Sequence, residues 1–232
     1  MIFHVGIENN NDNRTIAWAL EHPGCFAYGD DADNACHNLE DSIREYDAWI
    51  RQYEVETWLA VDDLQINVQE TFKAYFVDEN LDLDYKAGNF MVESFFRYDW
   101  KPLTREEIGR AMLMLDWSRK DLLQMISGLS TEKRDETYPD ERWSINGILK
   151  HIATAEWWYL ERLGMAFPKG ELEEEPLPRL VKTRQHFKQT LPEMEGLKQV
   201  IGKDGEIWSP RKVLRRTLWH ERDHIEHIRK LI

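Results

Sequence analysis

Residues 209–232 constrain the fold of this chain most, because they combine a helix start with two histidines at helical spacing. Ser209 and Pro210 are residue types favoured at the N-cap and the first position of a helix. His220 and His224 are four residues apart, so a helix places both imidazoles on one face. Two imidazoles on one face can bind one metal ion, and such a pair needs further ligands from another part of the chain.

The best candidate for a third ligand is His151, which lies in a second segment of apolar periodicity, residues 143–159. We predict a metal ion held by this histidine and the two of the last helix, with one coordination position open. Histidines without a metal are the alternative, but a cluster of imidazoles is costly to bury unless the side chains share a ligand. His227 falls on the same helix face, either as a fourth ligand or as a residue that hydrogen-bonds a ligand.

The charge of the chain is unevenly distributed along its 232 residues, although the net value is −13. Residues 1–100 hold 6 Lys and Arg against 21 Asp and Glu, whereas residues 101–232 hold 24 against 22. This change of composition predicts a domain boundary near residue 100. Binding to a phosphate backbone requires a basic face, so no nucleic-acid partner is expected.

Neither a membrane anchor nor a secretion signal is expected from the sequence. No apolar run approaches the roughly 18 residues of a membrane span, and the first residues lack the basic and apolar regions of a signal peptide. Cys25 and Cys36 are too few for a disulfide framework. We therefore expect a cytoplasmic protein without a membrane partner, and the sequence leaves homo-oligomerisation open.

The first half of the chain begins with three short strands and a helix. Apolar residues alternate over residues 2–7 and 16–20, with a polar turn over residues 8–13 between them, which predicts a hairpin. Residues 25–29 predict a third strand, and an amphipathic helix follows it. Period-two stretches over residues 58–100 predict further strands.

Residues 20–30, of sequence LEHPGCFAYGD, lie at the centre of this unit and resemble the HicB-like fold of antitoxin and related proteins. The resemblance implies an α+β domain over residues 1–100, with an antiparallel sheet and one helix. HicB-like proteins that bind DNA carry an additional DNA-binding segment, and the sequence has no basic helix of that kind. The resemblance therefore implies a binding role rather than a repressor.

Residues 101–232 predict an all-α domain, a bundle of four helices, of which residues 209–232 form the fourth. Asp204 and Gly205 predict a small hairpin just before that helix. Thr104 and Glu107 form a capping box at the start of the first helix, which ends near Gly128. The second helix begins at Ser144 and ends at about residue 163, and the third begins around Pro178.

Three motifs in this half occur in the same order as in a known family. They are Trp143-Ser144-x-x-Gly147-x-x-x-His151, the aromatic stretch at residues 156–159, and His220-Glu221-x-x-His224. Together they resemble the DinB-like (YfiT-like) superfamily of metal-binding four-helix bundles. The resemblance implies that His151, His220 and His224 bind a divalent ion, zinc or nickel, with open positions for water or substrate. His227 stands where many relatives have Gln.

The resemblance also implies a function. Characterised relatives are transferases or isomerases that act with low-molecular-weight thiols, and many members have no known activity. We therefore expect a thiol-dependent transferase with a small-molecule substrate. One alternative is a non-catalytic binding or sensor protein with a structural metal, which a closed four-ligand shell including His227 would favour. A second alternative is a metal-dependent hydrolase.

Side chains near the three histidines are candidates for a substrate pocket. Trp158 and Arg162 follow His151 at same-face spacings, Tyr159 is close by, and Arg162 is a candidate to pair with a carboxylate of the thiol or substrate. Glu221 completes the HExxH pattern of zinc proteases, in which it would be the general base. We discount this interpretation because too few residues follow the motif to carry the further ligands of those proteases. Glu221 is expected to face a neighbouring helix or solvent.

Overall fold

The computed structural model describes residues 1–54, 56–84 and 90–232. Within them, no helix has the length and apolar character needed to cross a membrane. The strands are β1 (Ile2–Asn11), β2 (Arg14–Ala19), β3 (Phe26–Gly29), β4 (Gln65–Lys73), β5 (Tyr75–Val77), β6 (Leu83–Asp84), β7 (Phe90–Val92), β8 (Ile201–Lys203) and β9 (Glu206–Trp208). The helices are α1 (Ala32–Arg51), α2 (Arg105–Ile126), α3 (Thr131–Asp135), α4 (Ile145–Arg162), α5 (Pro176–Thr190) and α6 (Pro210–Arg229).

The chain packs as two compact units. The first comprises Met1–Lys101 and Gly202–Trp208, and the second comprises Pro102–Ile201 and Ser209–Ile232. The segment from Gly202 to Trp208 holds most of the predicted hairpin, which is β8 and β9. Position along the chain alone would place this hairpin in the helical half, so its grouping with the first unit is a tertiary feature.

The first unit is built on a four-stranded sheet in the order β3-β2-β1-β4. The predicted hairpin is β1 and β2, and the predicted helix is α1, which packs on β2 and β3 through residues such as Leu39, Ile43 and Ile50. The prediction of an antiparallel sheet is wrong in one respect, because β4 pairs parallel with β1. The crossover through α1 returns the chain in the direction of β1, which a parallel pair requires. A separate small sheet has the order β6-β5-β7.

The polar turn predicted over residues 8–13 is shorter than expected. Strand β1 continues to Asn11, and the positive φ angles of Asp12 and Asn13 make the turn. Glu8 is fully buried in the strand rather than exposed in the turn. Its carboxylate accepts hydrogen bonds from the indole N–H of Trp18 at 3.0 Å and from the hydroxyl of Ser94 at 2.7 Å. These donors make burial of the carboxylate tolerable, and no local sequence pattern reveals them.

The helical unit begins its long helices close to the predicted residues. Thr104 and Glu107 form the predicted capping box, and the hydroxyls of Ser144 and Ser209 accept hydrogen bonds from the first turns of α4 and α6. Helix α5 begins at Pro176, slightly earlier than predicted. Helix α4 packs against α5 and α6, and α2 packs against α6. The apolar core between the helices contains Leu122, Ile126, Ile148, Leu149, Ile152, Leu180, Ile225 and Ile228.

Each of the four long helices of this unit contributes one charged side chain to a buried network. Arg119 comes from α2, Glu156 from α4, Arg184 from α5 and Glu221 from α6, and each residue is 7% exposed or less. Arg119 donates to Glu221 at 2.8 Å and to Glu156 at 3.2 Å. Arg184 donates to Glu156 at 2.5 Å and to Glu221 at 2.9 Å. Each guanidinium group therefore bridges both carboxylates.

The third nitrogen of each guanidinium group, Nη1, donates to a backbone carbonyl. Arg119 donates to the carbonyl of Leu180 at 2.6 Å, and Arg184 donates to that of Leu115. Burial by itself would raise the pKa of Glu221, but the charges of Arg119 and Arg184 hold this pKa below its ordinary value. Burial likewise opposes the charge of Arg184, yet its two carboxylate partners raise the pKa of the guanidinium. Glu221 and Arg184 therefore stay ionised, within a network that pairs two basic with two acidic side chains.

We expect Glu221→Gln to lower the free energy of unfolding by about 3 kcal/mol, because it leaves one buried guanidinium charge without compensation. The measurement is urea denaturation of the metal-free protein with chelator present, so that metal binding does not contribute. The matched control is Glu226→Gln on the same helix. Glu226 is exposed and pairs with Arg229 one turn away, so its loss is expected to cost about 0.5 kcal/mol or less. Equal losses in the two variants would contradict a structural role for the network.

Candidate metal centre

Helices α4 and α6 bring His151, His220 and His224 together. One nitrogen from each ring lies within 4.8 Å of the other two, and the Nε2 atoms of His151 and His220 are 3.0 Å apart. The ring centroids are separated by 4.7 Å for His151 and His220, 5.0 Å for His151 and His224, and 4.5 Å for His220 and His224. The helical spacing of the pair on α6 and the packing of α4 against α6 together produce this convergence.

The three side chains have the chemistry that a divalent ion requires of its ligands. Burial lowers the pKa of His220 well below its ordinary value of 6.5, and the neighbouring histidines and Arg216 lower it further. Burial, with His151 and His227 nearby, lowers the pKa of His224 to about 3. The imidazoles are therefore neutral at physiological pH, which leaves lone pairs for a metal.

The nitrogen positions also suit the size of such a site. Three nitrogens around a tetrahedral zinc ion, each about 2.1 Å from the metal, are about 3.4 Å from one another. The observed separations run from 3.0 Å between His151 and His220 to at most 4.8 Å within the group, so small side-chain movements close the site. The donor set fits a divalent ion that accepts nitrogen ligands.

His227 lies beside this group without entering it. Its Nε2 atom is 2.9 Å from a carboxylate oxygen of Glu141, and its Nδ1 atom is 3.5 Å from Nδ1 of His224. Both ring nitrogens are thus directed at other side chains. In this arrangement His227 contacts a candidate ligand and lies outside the three-nitrogen group.

The connection before α4 supplies contacts that the sequence analysis missed. The ring of Trp143 stacks on His151, with centroids 4.5 Å apart and an interplanar angle of 25°. The guanidinium of Arg142 lies 4.6 Å from the ring centroid of Trp143, and its charge adds to the effect of burial in lowering the pKa of His151. The role of Trp143 was predictable from the sequence, because Trp143 belongs to the motif that contains His151 and directly precedes the N-cap residue of α4. Nothing in the sequence marks Glu141 as a partner of His227.

The predicted pocket residues separate into two groups. Tyr159 is buried, with its ring edge-on to His220 at 6.1 Å, and it lines a narrow recess beside that histidine. Trp158 and Arg162 do not line this recess. The guanidinium of Arg162 instead lies 4.4 Å from the ring centroid of Trp158 and pairs with Glu161 at 2.7 Å. The full lining of the recess consists of Ile152, Glu156, Tyr159, Arg184, Thr217, His220 and Glu221.

Glu221 is only 2% exposed and faces neighbouring helices, which is the first of the two environments expected for it. Its Oε2 atom accepts hydrogen bonds from Arg119 of α2 and Arg184 of α5. A carboxylate held in this way has a lowered pKa and is a poor proton acceptor. This geometry disfavours Glu221 as the general base that the zinc-protease interpretation of the motif requires.

We expect the metal-free protein to lose stability as the pH falls from about 7.5 to about 5.5. The folded-state pKa of His224 is about 3, below its ordinary value of 6.5, so the unfolded chain binds more protons in this range. The contribution of such a histidine is complete above about 6.5 and is lost as the pH falls below that value. Carboxylates titrate mainly below about 4.5 and contribute little in this window.

The measurement is the melting temperature across this pH range with chelator present. His224→Asn removes one of the titrating groups, so we expect a shallower dependence in this variant, because its unfolded chain gains one proton fewer. A parent and a variant with equal slopes would show that His224 is not held neutral by the fold.

Comparisons with known proteins find one family model and one solved structure that are similar to this chain. No curated protein matches the chain. A solved structure of YfiT from Bacillus subtilis, described as a probable metal-dependent hydrolase with an unusual four-helix bundle topology, is similar to this chain. The TM-score is 0.45 and the sequence identity is 17%, over 56% of this chain and 87% of that chain. The family model of the DinB superfamily matches residues 114–228, a range that contains all three clustered histidines.

Proposed function

We propose that this chain is a divalent-metal-binding protein of the DinB type, in which the helical unit is a four-helix bundle. His151, His220 and His224 would hold one ion, zinc or nickel, between α4 and α6. The observation that carries the proposal is the convergence of three imidazole nitrogens within 4.8 Å in a range that matches the DinB superfamily. Their lowered pKa values support it, because protonated imidazoles do not bind metals.

An incomplete protein shell favours an enzyme over a purely structural site. In the described part of the chain, no fourth His, Cys, Asp or Glu joins the three-nitrogen group. His220 and His224 are buried, whereas His151 is partly exposed, so the site is approachable from the side of α4. When bound, a divalent ion with an open position supplies Lewis-acid chemistry by lowering the pKa of a coordinated thiol or water.

For the reaction, we propose a transferase that uses a low-molecular-weight thiol as the nucleophile and a small molecule as the acceptor. The ring of Trp143 stacks on His151, and the exposed Arg142 lies over Trp143, so its positive charge is near His151. A cation in this position suits a thiol or substrate that carries a carboxylate, so the structure favours Arg142 for the role predicted for Arg162. A metal-dependent hydrolase is the second candidate, because the same open position accepts water.

We propose a binding role for the N-terminal part, residues 1–100, as a HicB-like domain followed by the DinB-like domain over residues 101–232. The order of β1, β2, β3 and α1 supports this proposal, since a hairpin, a third strand and a helix packed on the sheet are the features that the resemblance implies. The excess of acidic residues in this part supports a partner other than nucleic acid.

The metal site is tested by elemental analysis of the protein purified without an affinity tag. We expect about one equivalent of zinc or nickel, and we expect His151→Ala, His220→Ala and His224→Ala each to remove it, because two imidazoles bind far more weakly than three. His37→Ala is the control, since His37 is exposed on α1 in the first unit. Metal retained by all three site variants, or a parent protein without metal affinity, would refute the site.

The reaction class is tested by offering the metal-loaded protein two substrate sets. The first pairs carboxylate-bearing thiols, such as glutathione, with electrophilic acceptors, and the second contains activated esters and amides without thiol. We expect thiol consumption that is abolished by chelator and by His220→Ala. Ester or amide cleavage without thiol would instead favour the hydrolase. One equivalent of metal without either activity would favour a structural or sensor site.

A further inference from the structure

We propose that Glu141 and His227 form a hydrogen-bond relay that sets the tautomer of His224 and thereby presents its Nε2 atom to the ion. The inference rests on the proposed metal site and adds two positioning residues to it. The relay has two steps, from Glu141 to His227 and from His227 to His224, and each follows from the donors and acceptors involved.

The first step concerns Glu141 and His227. The distance from the carboxylate oxygen of Glu141 to Nε2 of His227 is 2.9 Å. An ionised carboxylate only accepts hydrogen bonds, so Nε2 of His227 is the donor. A neutral imidazole carries one N–H, which leaves Nδ1 of His227 as an acceptor.

The second step passes this preference on to His224. Nδ1 of His227 faces Nδ1 of His224 at 3.5 Å. Because the former is an acceptor, the hydrogen of the His224 ring belongs on its own Nδ1 atom. The Nε2 atom of His224 then keeps its lone pair, which is the form of imidazole that binds a metal. The carboxylate thus selects the binding-competent tautomer through one intervening ring.

The chain holds both ends of the relay in place. His224 and His227 are one turn apart on α6, so their rings share a face of the helix. Glu141 lies in the connection before α4, where its backbone N–H donates to the carbonyl of Tyr138 at 3.2 Å. The same connection places Trp143 on His151. It therefore contacts one candidate ligand directly and a second one through His227.

The test compares zinc affinities of full-length variants, measured by competition with a chromophoric chelator. We expect His227→Leu to weaken zinc binding by about 10- to 100-fold, the usual effect of removing a hydrogen-bond partner of a ligand. His227→Gln should retain most of the affinity, because its side-chain oxygen accepts from His224 while its NH2 group donates to Glu141. Glu141→Gln should lie between these two, since a neutral oxygen still accepts but more weakly.

Glu136→Gln is the matched control, because it removes the same charge from the same connection. Glu136 is exposed and pairs with Lys133 at 2.5 Å. We expect its zinc affinity to equal that of the parent. A loss as large as that of Glu141→Gln would overturn the relay, because the effect would then be general electrostatic attraction of the cation.

A second readout does not depend on metal or activity. NMR of the imidazole nitrogens in the metal-free protein reports which nitrogen of His224 carries the hydrogen. We expect Nδ1–H in the parent and in His227→Gln, and a mixture of tautomers in His227→Leu. A merely structural contact would leave the tautomer unchanged between the variants, and Nε2–H in the parent would overturn the relay.

The outcomes separate this inference from the proposed function. A parent protein that binds neither zinc nor nickel refutes the metal site itself. A parent that binds zinc with the same affinity as His227→Leu refutes the relay and leaves the site intact. Melting temperatures of the metal-free variants verify that each is folded before its affinity is compared.

Discussion

The buried network of Arg119, Glu156, Arg184 and Glu221 is the interaction on which the helical unit depends, because it takes one charged side chain from each long helix. Such a network contributes little net stability compared with apolar packing, since removing four charges from water is costly. Its value lies in specificity. Rotation or sliding of one helix would separate these ion pairs and leave a charge buried without a partner, which disfavours other helix registers.

This constraint bears directly on the metal centre. Glu221 follows His220 on α6, and Glu156 lies little more than one turn beyond His151 on α4. The network therefore sets the rotation of the two helices that carry the three imidazoles. The recess beside His220 is lined by members of the network as well, so the same ion pairs define one wall of the candidate site. The charged network and His220, one of the candidate metal ligands, are therefore neighbours in this unit.

The pKa values of two kinds of buried ionisable group in this region have different causes. Glu221 and Arg184 remain ionised because each has partners of opposite charge at hydrogen-bond distance. Burial, by contrast, lowers the pKa values of His220 and His224, so these two rings are neutral. A cluster of neutral imidazoles with converging lone pairs is unfavourable alone, and a bound cation would offset that cost.

The local sequence by itself determined much of this protein. The helix caps at Thr104, Ser144 and Ser209, the first hairpin and the spacing of the α6 histidines all depend on residues within a few positions of one another. The sequence also indicated that Arg119 is buried, because Arg119 lies four residues after Leu115 and therefore on the buried face of α2.

Only the tertiary structure decided which distant groups meet. Hydrogen bonds join Glu8 to Ser94, Arg119 to Glu221, and Glu141 to His227, and these partners are 86, 102 and 86 residues apart in the sequence. In each case the side chain is polar in the sequence and would be expected in water. Whether it is buried depends on a complementary donor or acceptor that local periodicity does not encode, because hydrogen bonds and ion pairs act over a few ångströms of space and not along the chain.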